Sequence, residues 1–400
     1  MDNFTHTLIG IALGRAAWPR TKEAQASHRA LLWAAAVSSN LPDIDFLFPQ
    51  ARVDGNLGYM LHHRGHTHTL LWAVPLGLLV AGAVLKLDRK ARPDWLRVMI
   101  VSVIGAIGHI VADSWNSYGV HPFWPVDNRW FFGDFIFIVE PLLWFALLPL
   151  AFECSRRSRW RWGWLGLGIL MLGLAWAGPF IPALLAGALT VWALALVLLQ
   201  RRFGGFVPAT VASLVVLTGF FLGSRATLAD LRDYFARNAP GEREIQLALT
   251  PGPANPFCWL MVSAHQAGAD YVARIARYST AGPGWDQRLC ETRLIPTERT
   301  APTRPVSLPE APGLRWYGEF RAPLQELRTL AGERCGVAAF LQFSRIPFWV
   351  RETRPAHGWI VGDLRFDRKS ELEFSEIDDS RTWSCPSMAV RWEPPVRSAL

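Results

Sequence analysis

Long apolar segments occupy the first 224 residues of this chain and restrict its fold more than any other feature. Crossing the hydrocarbon core of a bilayer takes about 20 apolar residues, within a range of roughly 17–25. The segments predicted as helices are Phe4–Trp18, Ala30–Phe48, Thr67–Leu85, Leu96–Ser114, Phe135–Phe152, Gly163–Gly178, Pro179–Leu199 and Val207–Gly223. The first is short but lacks the basic start and cleavage site of a signal peptide, so we expect it to be retained. Residues 225–400 are mixed, charged and rich in proline.

This split predicts two domains. Residues 1–224 are expected to form an α-helical multi-pass membrane domain of about eight helices, and residues 225–400 a soluble β-rich (α+β) domain. Apolar alternation in the second part predicts strands at Glu244–Thr250, Phe257–Ala264, Tyr271–Tyr278, Leu314–Phe320, Val337–Phe343, Trp359–Phe366 and Met388–Trp392. Thr227–Asn238 is predicted as a helix and Ala281–Arg304 as a loop. A lid, a substrate-docking module and a surface for a protein partner remain open as roles for this domain.

Lys and Arg are distributed unevenly between the loops that join the apolar segments. Fifteen of them fall in one set of loops, whereas the alternate loops carry only Arg52, Arg64 and Arg129. Cytoplasmic loops carry the excess of these residues, so we predict a bacterial inner-membrane protein whose N-terminus and C-terminal domain are extracytoplasmic. This topology also accounts for much of the net charge of +8 and favours a membrane protein over a nucleic-acid-binding one.

Cysteine usage agrees with this topology. Cys154 lies at a predicted cytoplasmic helix end, whereas the outer domain holds Cys258, Cys290, Cys335 and Cys385. In an oxidising compartment these four thiols can form two disulfides, with three possible connectivities.

Histidines and carboxylates gather at the predicted outer ends of the apolar segments. The patches are Leu41-Pro-Asp43-Ile-Asp45, His62-His-Arg64-Gly-His66-Thr-His68, His109-Ile-Val-Ala-Asp113, and Asp134 with Glu140, joined by His6 and His121. Ionisable groups are costly at a membrane and usually mark function. His and Asp are also ligands that bind zinc and similar divalent metals. Because the topology was derived from Lys and Arg alone, the convergence on one side predicts a joint metal site.

Local spacing supports such a site. His109 and Asp113 are four residues apart and share one face of a helix. His62 and His66 have the same spacing, although Gly65 weakens a helical interpretation. His68 is predicted outside the coordination shell, and for His121 aromatic stacking is a fair alternative to ligation.

Four motifs resemble a known family. THTLIGIALGRA, SSNLPDIDFLF, HHRGHTHTLLWAVPLG and GHIVADSWNSYGVHPFWPVDNRWFFGDFIFIVEPLLW are similar to the membrane-bound metal-dependent hydrolases of the YdjM type. The resemblance implies an inner-membrane location, hydrolase activity and a set of ligands: His6, Asp43, Asp45, His62, His66, His109, Asp113 and Glu140. Glu140 stands where the family usually has Asp. A more distant similarity links the chain to the all-helical zinc phospholipases C.

The expected function is a membrane-embedded hydrolase that uses one to three divalent ions, most simply zinc, with Asp134 as a further candidate ligand. Its expected substrate is a phosphoester or ester of an amphiphilic, lipid-like molecule at the outer face of the membrane. Asp45 or Glu140 would act as general base, and Arg64 would neutralise charge on a phosphate-like group. The alternatives are a metal-stabilised anchor or sensor without catalysis, and an ion transporter.

Overall fold

The computed structural model describes residues 1–18, 28–47, 56–156, 158–282, 284–290, 299–351, 358–369, 372–379 and 392–400. The N-terminal region is helical. Its first half comprises α1 (Asn3–Ala16), α2 (His28–Ser38), α3 (Asn56–His62), α4 (Leu70–Leu87) and α5 (Trp95–Asp113). Short 3-10 helices at Leu41–Leu47, His66–His68 and Arg89–Asp94 precede or follow these helices. α1, α2, α4 and α5 pack against one another as a bundle.

The second half of the helical region follows α5 along the chain. It comprises α6 (Pro141–Cys154), α7 (Trp160–Ala177), α8 (Ala183–Phe203) and α9 (Phe206–Asn238). Among the described residues, four segments are long and apolar enough to cross a membrane: Leu70–Leu87, Arg89–Asp113, Ala183–Phe203 and Phe206–Asn238. Their outward faces expose large apolar side chains, such as Leu79 at 66% and Val191 at 67%. Such surfaces are expected to face lipid rather than water.

α9 joins the two regions without a break. Its 33 residues correspond to about 50 Å, against a hydrocarbon core of about 30 Å. The helix therefore has the length to cross the core and continue beyond it. The predicted segments Val207–Gly223 and Thr227–Asn238 belong to this one helix, and the proposed domain division after residue 224 falls inside it.

Two predicted helices are shorter than expected because polar residues and proline interrupt them. α2 ends at Ser38, whose hydroxyl donates back to the Ala34 carbonyl at 2.6 Å, and Pro42 disfavours helical geometry at the residue before it. The predicted helix Phe135–Phe152 begins only at Pro141, with Glu140 as its N-cap. Proline suits this first position because it has no N–H to leave unpaired.

The C-terminal region is built on antiparallel sheets, which confirms the predicted fold class. The first sheet has the order β1 (Glu242–Gly252), β2 (Asn255–Ala267), β3 (Asp270–Ser279) and β4 (Leu314–Pro323). The second has the order β5 (Pro347–Arg351), β6 (Trp359–Asp363) and β7 (Glu376–Asp378). The described residues of this region also form three short helices: α10 (Asp286–Cys290), α11 (Leu324–Glu333) and α12 (Cys335–Phe340).

Two predictions for this region are wrong. Val337–Phe343 is not a strand, because α12 occupies most of it, and α10 lies within the predicted loop Ala281–Arg304. A short apolar run cannot be assigned to helix or strand by periodicity alone. Of the predicted strand Met388–Trp392, all but Trp392 lies outside the described residues.

One disulfide joins Cys258 to Cys290, with Cα atoms 5.5 Å apart. Cys335 is also disulfide-bonded, whereas Cys385 lies outside the described residues. Cys154 in the helical region is a free thiol, as its predicted location suggested.

The C-terminal region packs directly on one end of the helical region. Leu57, Met60 and Leu61 of α3 share a buried core cluster with Phe340 and Phe343. The helix ends that meet there are the N-termini of α1, α4 and α6 and the C-termini of α2 and α5. This is also the end that carries the histidine and carboxylate patches.

Candidate metal centre

Three chain segments bring four histidine and aspartate side chains together at this end. Asp43 lies in the 3-10 helix that follows α2, and His68 ends the 3-10 helix that precedes α4. His109 and Asp113 occupy the last turns of α5. All four are buried: His68, His109 and Asp113 are fully inaccessible, and Asp43 is 8% exposed. All four residues lie near the end of a helix, where polar residues interrupt the apolar pattern of the sequence.

Four side-chain atoms of this group face one another at nearly equal distances. The two imidazole Nε2 atoms of His68 and His109 are 3.0 Å apart. His68 Nε2 lies 3.3 Å from Asp43 Oδ1 and 3.3 Å from Asp113 Oδ2. His109 Nε2 lies 3.4 Å from Asp43 Oδ1 and 3.5 Å from Asp113 Oδ2. These residues form a buried group that could hold a metal ion.

The spacing of these donor atoms fits an ion with tetrahedral coordination. Zinc bound to imidazole nitrogen or carboxylate oxygen at about 2.0–2.1 Å holds its ligand atoms about 3.3–3.4 Å apart when the site is tetrahedral. The five separations given above surround this value. Asp113 Oδ2 is fully buried and faces only cationic or potentially cationic groups, with Arg64 Nε at 3.0 Å and the two imidazoles at 3.3 and 3.5 Å.

Hydrogen bonds behind the two imidazoles orient them toward the centre of the group. His109 Nδ1 donates to the Ser39 carbonyl at 2.8 Å. His68 Nδ1 lies 3.1 Å from the Thr67 hydroxyl, which itself donates to Asp45 Oδ2 at 2.9 Å. Such partners fix the tautomer of a metal-ligating histidine. Held in this way, both Nε2 atoms face the centre of the group, where they could bind a cation.

The electrostatics of the group show the same need for a cation. Burial alone would lower the pKa of His68, but hydrogen bonds to three carboxylates, Asp113 first, raise it to about 10. Burial alone would raise the pKa of Asp43, but hydrogen bonds from His109 and His68 hold it well below its usual range. A proton on His68 therefore supplies the cation in the metal-free protein, and metal binding at such a site releases the proton.

Asp45 lies behind this group and contacts several neighbours. Its Oδ2 accepts hydrogen bonds from the Arg64 backbone N–H and the Thr67 hydroxyl, each at 2.9 Å. Its Oδ1 lies 2.9 Å from His63 Nδ1. Burial would raise the pKa of Asp45, but hydrogen bonds from His63 and His68 keep it below its usual range. Asp43, Asp45 and His63 form a second group that could hold a metal ion.

Arg64 brings a cation to the edge of the first group. Its Nε lies 3.0 Å from Asp113 Oδ2, and its Nη1 donates to Asn116 Oδ1 at 3.2 Å. The guanidinium covers the Tyr118 ring at 4.7 Å. Arg64 has a φ of 60°, a conformation that is uncommon outside glycine and concentrates at functional sites.

His6 touches the same group from α1. Its Nε2 lies 3.2 Å from Asp113 Oδ1, and its ring stacks on His109 with centroids 3.8 Å apart. It is fully buried, and its Nδ1 has no hydrogen-bond partner. The structure therefore brings the predicted residues His6, Asp43, Asp45, His109 and Asp113 into one contiguous cluster.

The other predicted ligands lie elsewhere. His66 contacts the rings of Trp124 and Trp392 at 4.8 and 5.4 Å, and His121 stacks on Trp392 at 3.7 Å. His62 is half-buried at the end of α3. Neither His62 nor His66 belongs to the groups found among the described residues. Sequence reasoning missed His63 and placed His68 outside the coordination shell, whereas the structure puts His68 inside the group.

Asp134 and Glu140 are buried but have partners of another kind. Asp134 accepts from the Arg345 guanidinium of the C-terminal region at 2.8 Å. Glu140 accepts from the backbone N–H groups of Leu142 and Ala254, so it links α6 to the turn between β1 and β2. Burial raises the pKa of Glu140 to about 8. Both carboxylates lie where the two regions of the chain meet.

The fold and this cluster define a multi-helix membrane protein with a buried Asp/His group that could hold a metal ion. Residues 1–180 match the family described as YdjM inner membrane protein, which confirms the resemblance drawn from the four motifs. The chain is also similar to an uncharacterized protein, YfhP, of Bacillus subtilis (strain 168), with 30% identity over 162 residues.

That alignment covers 36% of this chain and 47% of YfhP, so it spans about half the length of this curated relative. No solved structure matches the chain. None of these comparisons shows the more distant similarity to the zinc phospholipases C.

Proposed function

We propose that this protein is a membrane-embedded, metal-dependent hydrolase at the extracytoplasmic face of the bacterial inner membrane. The observation that carries the proposal is the convergence of four buried donor atoms from Asp43, His68, His109 and Asp113, in which each imidazole Nε2 lies 3.0–3.5 Å from the other three atoms. Zinc is the ion that suits this mixture of imidazole and carboxylate at such spacing. When bound, it supplies Lewis-acid activation of water and of an ester or phosphoester oxygen.

The side chains around the ion have separate tasks in this proposal. His68 and His109 bind through Nε2 because Thr67 and the Ser39 carbonyl hold their Nδ1 atoms. Arg64 keeps Asp113 oriented through the 3.0 Å contact to Oδ2, and its charge offsets part of the surplus of carboxylates. Glu140 joins α6 to the β1–β2 turn, so we assign it an architectural role rather than that of the general base.

The location of the site favours an amphiphilic substrate. The cluster lies at the ends of helices long and apolar enough to cross a membrane, beside apolar side chains that are exposed, such as Phe46 at 49% and Leu47 at 49%. A lipid-like molecule can place its tail against such a surface while its polar head lies over the cluster. We therefore propose a phosphoester or ester of a membrane lipid as the substrate class.

The test is a hydrolysis assay on the purified full-length protein in detergent. The substrates are para-nitrophenyl phosphate and acyl esters, followed by phospholipids and isoprenoid phosphates in mixed micelles. We expect chelation to abolish turnover, zinc to restore it, and His109→Ala to be inactive. His28→Ala is the matched control, since His28 begins α2 at the opposite end of the bundle. Metal-independent turnover, or equal activity in His109→Ala, would refute the proposal.

One observation favours a second function, that of a metal-stabilised anchor for the C-terminal region. Structural zinc sites are closed by four protein ligands, and the first group offers four buried ones. An anchor of this kind would bind one ion tightly and lose thermal stability on chelation, yet hydrolyse none of the substrates in the screen. The assay with metal-loaded protein therefore separates the two functions.

A further inference from the structure

Asp43 takes part in both groups of potential metal ligands. The first group joins it to His68, His109 and Asp113, and the second joins it to Asp45 and His63. The contacts to His68 and His109 both use Asp43 Oδ1. Its Oδ2 is thus left to serve a second ion. A carboxylate placed in this way bridges two metal ions, which in two-metal enzymes lie about 3.5–4 Å apart.

Asp45 likewise divides its two oxygens between different tasks. Oδ2 accepts from Thr67 and from the Arg64 backbone, and Oδ1 faces His63 Nδ1 at 2.9 Å. Through Thr67, Oδ2 helps to orient His68 of the first group. Oδ1 faces His63 of the second group. One carboxylate therefore orients a ligand of one ion and lies in position to bind the other.

The His63 ring is held in place for ligation. It stacks on Tyr59 with centroids 4.7 Å apart and an interplanar angle of 22°, and it meets the edge of Tyr118 at 5.9 Å. Rings fixed by packing hold their donor atoms with little loss of entropy on binding. A hydrogen bond between His63 and Asp45 accounts for that one contact, whereas a shared ion would also account for an oxygen of Asp43 that lies within 4.8 Å of both ligand atoms.

The two groups differ in accessibility. Three of the four residues in the first group are fully inaccessible, so that ion would be closed to substrate. The second group includes the half-buried His63, whose side chain is 13% exposed, and it offers only three protein ligands. Catalytic zinc sites typically combine three protein ligands with an open position for water or substrate.

We propose that Asp43, Asp45 and His63 bind a second divalent ion, bridged by Asp43 to the first, and that this accessible ion receives the substrate. The inference rests on the proposed hydrolase function and extends it. It assigns a positioning role to the inaccessible ion of the first group and the hydrolytic step to the accessible ion of the second group. In this arrangement His63 would bind through Nδ1 as the neutral imidazole whose Nε2 carries the proton.

The first experiment measures metal stoichiometry. Purified wild-type protein is stripped with a chelator and titrated with Zn²⁺, and bound zinc is measured after gel filtration. We expect two equivalents for wild type, one for His63→Asn, and none for Asp43→Ala, which removes the shared ligand. His28→Asn is the matched control and keeps both. Asparagine retains a donor for Asp45 Oδ1, so the variant separates ligation from hydrogen bonding.

Two results would overturn the inference: a single equivalent in wild type, or two equivalents in His63→Asn. The wild-type titration does not depend on how any variant folds. Co²⁺ gives an independent readout, because two Co²⁺ ions sharing the Asp43 carboxylate couple magnetically, and uncoupled spectra at two equivalents would exclude the bridge. One equivalent together with zinc-dependent hydrolysis would end this inference but leave the proposed function standing. Two equivalents without hydrolysis would end the proposed function, and with it the assignment of the second ion to the substrate, but would leave the binding of two ions.

Discussion

Gly105 on α5 carries a contact on which the first metal group depends. A Cβ added there would lie 2.3 Å from the Ser38 hydroxyl oxygen, 3.0 Å from the Ala35 carbonyl and 3.2 Å from the Ser39 hydroxyl oxygen. One turn further along α5, His109 donates to the Ser39 carbonyl. Gly105→Ala therefore forces α5 away from the end of α2, which separates His109 from Asp43.

The expected cost follows from this geometry. Overpacking a tight contact typically lowers the free energy of unfolding by about 1–3 kcal/mol. Replacing a glycine inside a helix by alanine raises it by about 1 kcal/mol. Gly82→Ala in α4 isolates the second effect, because a Cβ at Gly82 would meet nothing within 4 Å. We expect Gly105→Ala to be less stable than Gly82→Ala by about 1–3 kcal/mol, and to bind zinc about 10–100-fold more weakly.

Thermal unfolding in detergent and zinc competition with a chromophoric chelator measure these two effects. Ser38→Ala removes the closest of the three contacts, so the double variant should recover part of both losses, as expected for coupled neighbours. Equal stability and zinc affinity of Gly105→Ala and Gly82→Ala would refute the argument that this helix contact positions the ligands.

Three further predictions concern other parts of the structure. Thr67→Val removes the hydroxyl between Asp45 and His68; zinc affinity should fall about 10–100-fold, as measured by chelator competition, and an unchanged affinity would contradict the orienting role. The Cys258–Cys290 disulfide spans 32 residues, so replacing both cysteines by alanine should cost about 3–4 kcal/mol in urea denaturation of the C-terminal region; a loss below about 1 kcal/mol would count against a stabilising role. Burial raises the pKa of Glu376 from 4.5 to about 7. The folded state therefore favours the protonated carboxyl. The stability that Glu376 contributes is present below about pH 4.5 and is lost as the pH rises to about 7. Glu376→Gln should remove the dependence of the unfolding midpoint on pH between about pH 4.5 and 7. An identical pH dependence in wild type and variant would refute the assignment.

The helical region could be predicted from the sequence because its signal is strong. Long apolar runs dominate the segments that became α4, α5, α8 and α9. The boundaries were harder to predict where local chemistry acts against hydrophobicity, as at Ser38 and Pro141. α12 was harder still, because Gly-Val-Ala-Ala-Phe is apolar, short and consistent with either type of element.

The metal group was predictable in composition but not in detail. The i, i+4 spacing of His109 and Asp113 survives because α5 is a regular helix to its end. The same argument does not hold for His62 and His66, since α3 ends at His62 and Arg64 adopts a positive φ. That turn, followed by a 3-10 helix, directs His63 and His68 toward the aspartates instead. The path of the chain through Arg64 and Gly65 depends on tertiary packing against Trp392, which local sequence does not reveal.

Zinc K-edge X-ray absorption tests the central claim most directly. The purified protein is loaded with one equivalent of Zn²⁺ and compared with His109→Ala prepared in the same way. Wild type should show only nitrogen and oxygen neighbours at about 2.0–2.1 Å, with outer-shell scattering from the imidazoles of His68 and His109, and this outer-shell signal should weaken in the variant. Sulfur neighbours at about 2.3 Å, or identical spectra for the two proteins, would contradict the account.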